Sequence, residues 1–370
     1  LVKTEPQTSE TDQALETERR ISGIDIIKVV AIFSVICGHF LLNTKYYTSS
    51  VNDFSMYLQT FIRWFVYAAV PLFIICTGYL QSRAEISKKY FSKLIRILIS
   101  YIVISILCIL YKQFVLKADM TWQKILLSFT NFTADSYSWY VNMYIGLFLF
   151  SPFINLMLPY LNKNKRRFQL LLLLMFVFVS IPLTYEQVML MFPNELVVQI
   201  PNYWAGPAYP ILFYLIGAYL REFKPSVNRW ISAGVIVLMM LVQSVIYIAG
   251  RHLLSPGNPW FISDYSSPFL LIESVGIVLL FYNISLKTGW LRTVFLKISA
   301  VTLEMYLFSF LVDSIVYAHI DRQLTQEAIF KKYVLIVVPL NILLSLAVSL
   351  LYRFLYDRIS KLKAYHLRRG

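Results

Sequence analysis

The stretch Ile24–Leu42, "IDIIKVVAIFSVICGHFLL", decides how the rest of the chain is read. It is apolar enough to cross a bilayer, yet it holds Asp25, Lys28 and His39. A helix turns about 100° per residue, so Lys28 and His39 lie within about 20° of each other and Asp25 within about 40° of His39. All three side chains therefore share one face. Ionisable groups in a membrane helix turn towards the bundle interior or a cavity and mark a pathway or a reaction site. The plainer alternative puts Asp25 and Lys28 at the interface, where Lys snorkels, and His39 at the opposite boundary.

Composition points to the same solvent. Of 370 residues 58% are hydrophobic and 15% charged, with a mean hydropathy of +0.61, which excludes an ordinary soluble domain. The 27 Phe and 26 Tyr suit lipid boundaries. A net charge of +14 raises nucleic acid as a partner, but the basic residues fall between apolar runs and not on a soluble basic face. The lipid bilayer is the partner they imply. Cys37, Cys76 and Cys108 sit in apolar segments without paired spacing, which argues against a disulfide framework and against a zinc site.

Ten apolar runs near spanning length follow a polar segment: 24–43, 57–80, 94–116, 139–158, 168–185, 206–220, 231–249, 267–286, 299–318 and 333–356. The first is expected to be a retained span and not a cleaved leader. The fold class is thus all-α, a polytopic membrane protein of about ten transmembrane helices. Residues 1–20 read as a disordered cytoplasmic tail, 21–356 as the membrane domain and 357–370 as a basic cytoplasmic tail. With the N-terminus inside, 25 Lys and Arg lie at the inner ends and 8 at the outer ends, leaving Arg63 within a span. That bias predicts that both termini are cytoplasmic.

At these residues the chain resembles the acyltransferase-3 family of integral membrane acyltransferases. Members open their first helix with Asp, then Arg, then ten residues and a His; here Asp25, Lys28 and His39 stand there, with Lys for Arg. "VPLFIICTGYL" (70–80) is similar to the end of the family's second helix, with Thr77 in place of Ser before the Gly. "KLIR" (93–96) takes the place of an Arg-x-x-Arg pattern. "SWYVNMYIGLFLFSPFI" (138–154), "FYLIGAYLREF" (213–223) and "ISAVTLEMYLFSF" (298–310) extend the likeness, although Ser309 stands where many members have a second His. The resemblance implies transfer of an acyl group, usually acetyl from acetyl-CoA, to a sugar hydroxyl of a cell-envelope glycan. The expected place is a bacterial plasma membrane, with acyl-CoA as a donor substrate and no bound cofactor.

Such a reaction needs a base, because a sugar hydroxyl is a weak nucleophile at neutral pH. An imidazole suits the task, and His39 is the only His on a membrane stripe with other ionisable groups. Asp25 and Lys28 complete the candidate catalytic set. Asp25 lies about 21 Å from His39 along the helix, which rules out direct contact. A carboxylate from another span can orient the ring: Glu273, Glu304 and Asp313 qualify, with Glu273 and Asp313 expected near its depth. Each also reads as a hydrogen-bonded carboxylate tying the bundle together. Lys93 and Arg96 are candidates for the CoA phosphates, against the plainer reading of positive-inside anchoring. Arg63, beside Trp64 and Tyr67, either meets an outer glycan or snorkels. Tyr and Trp at 137–140 and 203–209 suit sugar stacking or an interface belt. Two rival functions stay open: a transporter or flippase of acyl or glycan intermediates, and a non-catalytic sensing module.

Overall fold

The computed structural model describes residues 10–193, 195, 198–254, 260–286 and 289–367. Those residues form α-helices and no strand. In chain order they are α1 (Glu10–Asn43), α2 (Phe54–Tyr67), α3 (Ala69–Gln81), α4 (Lys88–Phe114), α5 (Trp122–Thr130), α6 (Trp139–Asn155), α7 (Leu158–Asn162) and α8 (Lys165–Met175). A π turn at Phe176–Ser180 leads into α9 (Ile181–Met189), followed by α10 (Tyr209–Phe223), α11 (Arg229–Leu253), α12 (Pro268–Phe281), α13 (Trp290–Ala300), α14 (Thr302–Val316) and α15 (Gln326–Leu367).

Six of these stretches are long and apolar enough to cross a membrane, seven if the bent pair α13–α14 is one span. The expected runs at 139–158, 206–220 and 267–286 are shorter helices, α6, α10 and α12, of 17, 15 and 14 residues. Fifteen helical residues reach only about 22 Å, less than the roughly 30 Å of a hydrocarbon core. The second span runs as two helices meeting at Ala68, with Pro71, which cannot donate a backbone hydrogen bond, in the first turn of α3. The N-terminal segment needs correction as well. The segment expected to be disordered is helical from Glu10, and α15 runs on through the basic segment to Leu367. Extending an existing helix is far cheaper than nucleating one. Residues 1–9 and 368–370 lie outside the described residues.

Lipid-facing surface identifies the outside of the bundle. On α4 the exposed residues Ile95, Ile99, Ile102, Ile106 and Leu110 recur every three or four positions, as one helix face must. An apolar stripe of that kind is a liability in water and ordinary in a bilayer. Inside, α1 is the central element, packed on α2, α3, α12, α13, α14 and α15. Small residues bring helices together: a Cβ at Gly78 would collide with the Tyr214 carbonyl of α10, and one at Gly217 with the Ile75 carbonyl of α3.

Candidate active site

The polar face of α1 packs against both α13 and α14. Asp25 meets Ser299 and His39 meets Asp313, each a partner 274 residues on. The break at Val301 bends α13 against α14 by 70°, which sets Ser299 at one end of the stripe and Asp313 at the other.

At the His39 end, Nδ1 lies 2.9 Å from Asp313 Oδ2. That carboxylate also accepts from Tyr137 Oη at 2.9 Å and, through Oδ1, from Asn341 Nδ2 at 2.8 Å. Asp313 is 1% exposed, so its charge depends on these donors; hydrogen bonds to a charged group contribute about 1.5–3 kcal/mol each. The imidazole stacks on the Tyr137 ring, centroids 3.8 Å apart. Asn43 Nδ2, one turn beyond His39, donates to the His39 carbonyl at 2.9 Å and to Tyr137 Oη at 2.8 Å. Tyr137 is held in turn by Tyr306 Oη, which donates to its carbonyl. The ring is thereby fixed in position. Because Nδ1 donates to Asp313, the proton sits there and the Nε2 lone pair is left to accept one.

The other end of α1 is built differently. Lys28 Nζ donates to the Ser299 carbonyl at 2.7 Å, while Ser299 Oγ donates to Asp25 Oδ1. Arg96 bonds Glu304 at 3.1 Å, with Arg353 3.8 Å from the same carboxylate oxygen. Lys93 makes no ion pair among the described residues. Asp25 and Lys28 thus sit apart from His39, at the end of the bundle that carries the Lys93 cluster.

Two cavities flank the stripe. One, of about 530 Å³, is lined by Lys28, Lys93, Arg96 and Glu304 and floored by Tyr140 and Tyr306. The second, of about 300 Å³, holds His39, Tyr137 and Arg63 among aromatic walls that include Trp139, Trp260 and Tyr265. Tyr306 lines both. Tyr306 is thus the residue the two linings share, and its hydroxyl reaches the Tyr137 carbonyl beside the imidazole.

The remaining candidates divide. Arg63 is 1% exposed and does not snorkel; it faces the His39 cavity. Glu273 is taken by Gln243 Nε2 at 2.6 Å, between α11 and α12, and lines neither cavity. It is a tie within the bundle and not a partner of His39. Glu304 holds two arginines at the basic end, leaving Asp313 as the carboxylate on the imidazole. Several participants had no clear sequence signal: Ser299 is one serine of many, and Tyr306 sits among other apolar-run tyrosines. Asn341 had one, as the only amide in the run 333–356. A buried amide in a span must find a polar partner.

An all-helical membrane protein with a buried His–Asp pair opening on a cavity defines the class. The acyltransferase-3 family model, described as an acyltransferase domain, matches residues 21–354, and the chain belongs to that family. No curated protein and no solved structure matches it.

Proposed function

We propose that this membrane acyltransferase is an O-acyltransferase, using cytoplasmic acyl-CoA, most simply acetyl-CoA, to esterify a hydroxyl of a cell-envelope glycan. The observation that carries the reading is the oriented His39–Asp313 pair facing an aromatic cavity, with a basic cavity that shares Tyr306. His39 Nε2 takes the proton of the sugar hydroxyl as the oxygen attacks the thioester carbonyl. The tetrahedral adduct then collapses, the C–S bond breaks, and the imidazolium returns the proton to the departing thiolate. Asp313 stabilises the transient imidazolium and keeps the tautomer.

Donor entry at the basic end rests on the cations there. Lys93 is free to meet phosphate, Lys28 lines the same wall, and Arg96 is partly neutralised by Glu304. Aromatic rings in the second cavity suit the faces of a sugar: Tyr47 stacks on Trp260 at 4.4 Å and Trp139 on Tyr265 at 5.5 Å. In this reading the chain crosses a bacterial plasma membrane about ten times with both termini inside, the short helices spanning where the protein itself lines cavities. Hydrogen bonds support that alternation. They join expected inner ends to one another (Lys28–Ser299, Arg221–Tyr79, Asn155–Ala84) and outer ends likewise (Lys45–Gln326, Arg251–Ser49).

Mass spectrometry of envelope glycans from cells carrying His39→Ala tests the reading. Ester content should fall to the level of cells without the protein, since loss of a general base costs roughly 10²–10⁴-fold in rate. Wild-type ester content beside normal membrane levels of the variant would favour transport or sensing.

A further inference from the structure

The cavity beside His39 contains a cation with no counter-ion among the described residues. Arg63 is buried on α2, and its Nε donates to Tyr47 Oη at 3.2 Å and Nη2 to Ser263 Oγ at 2.5 Å. Nη1, equally buried, has no hydrogen-bond partner. The guanidinium carbon lies 4.3 Å from the Trp64 ring centroid, 4.9 Å from Tyr247 and 5.2 Å from Tyr67. Aromatic faces attract a cation but do not neutralise it. None of the ion pairs among the described residues includes Arg63.

The surroundings add positive charge. Arg251 reaches the same rings, donating to the Tyr47 carbonyl and Tyr247 Oη at 3.4 Å each. Of the acids near this site, Asp313 is behind the imidazole and already accepts from Tyr137 and Asn341, and Asp264, next to Ser263, accepts from the Ser266 amide. A guanidinium placed only to fasten helices would spend its donors on protein; burying a charge with a donor left over is costly unless something binds there. The unspent donor belongs to a residue that lines the cavity. Its planar fork matches a carboxylate or a phosphate.

We infer that the acceptor entering this cavity is anionic, bearing a carboxylate or phosphate that Arg63 binds while its reacting hydroxyl sits at His39. The inference rests on reading the His39 cavity as the acceptor site. At about 300 Å³ the cavity is at the small end of ligand pockets, which confines recognition to the sugar ring that carries the charge. Two sources supply such an anion: a uronate-type carboxylate on the glycan itself, or the phosphate joining a sugar to its carrier.

Binding measured without any acyl donor separates this inference from the catalytic reading. The full chain in lipid nanodiscs is titrated, by its tryptophan fluorescence, with three probes: a neutral methyl hexoside, the methyl glycoside of a hexuronic acid, and a hexose 1-phosphate. At least one anionic probe should bind tenfold or more tightly than the neutral one. Arg63→Gln should abolish that preference, and Arg63→Lys should keep part of it. Preference for the uronate alone assigns the charge to the glycan; preference for the phosphate alone assigns it to the carrier linkage. Equal binding of all three probes by the wild type overturns the inference, and does so even if Arg63→Gln fails to fold. A folded Arg63→Gln that keeps the wild-type preference overturns it too.

Discussion

The two ends of α1 use charge in opposite ways. Around His39 the carboxylate is saturated: three side chains converge on Asp313, and the imidazole is pinned by its hydrogen bond to Asp313 and a stacked ring. Around Lys28 the polar groups are shared loosely, two of them on one serine, and Lys93 is unspent. The first arrangement fixes a single geometry, which proton transfer requires. The second leaves cations available, which suits a ligand that arrives and departs. One helix thus carries a rigid chemical end and an open electrostatic end, with Tyr306 shared by the cavities they line.

Removing the rigidity should have the larger effect. In Asp313→Asn the amide can no longer stabilise an imidazolium, and it is free to offer its own N–H to Nδ1, which puts the ring proton on the wrong nitrogen. Turnover should fall by about 10²-fold or more, with the KM for acyl-CoA little changed. Initial rates in proteoliposomes at varied donor decide it, and a raised donor KM with unchanged turnover would mean that Asp313 serves binding and not His39.

The open end should answer in KM. Lys93→Gln removes an unpaired cation and should raise the donor KM several-fold at constant kcat, the mark of binding lost equally in ground and transition states. Arg96→Gln should do less to the donor and more to stability. It leaves Glu304, 3% exposed, with only Arg353 at 3.8 Å. Breaking a buried ion pair costs about 3–5 kcal/mol, and the remaining arginine and the partial exposure of Arg96 place this loss towards or below the lower figure. Thermal unfolding beside donor kinetics separates the two variants. Equal KM effects would show that the Arg96–Glu304 pair opens to admit the donor.

How far the sequence carried this picture depends on which coordinate is asked for. Period and hydropathy are local, so the all-helical class, the apolar runs and the shared face of Asp25, Lys28 and His39 were legible. Depth was partly legible, since it placed Asp313 near the level of His39. Azimuth was not: which way α12 and α14 turn depends on contacts with α11 and α1, and only those give Glu273 to Gln243 and Asp313 to His39. The bend at Val301 carries no Pro or Gly to announce it, and it is what aligns Ser299 with Asp25. Arg63 read equally well as meeting an outer glycan or snorkelling, because a lone arginine in a span says nothing about the rings that will surround it.

The claim that both ends of α1 serve one reaction across Tyr306 is tested most directly by sidedness. Uniformly oriented proteoliposomes receive acyl-CoA only on the Lys93 side and a glycan acceptor only on the His39 side. Ester should form on the acceptor under those conditions and vanish in His39→Ala. Ester formation only when donor and acceptor share one side would contradict the account.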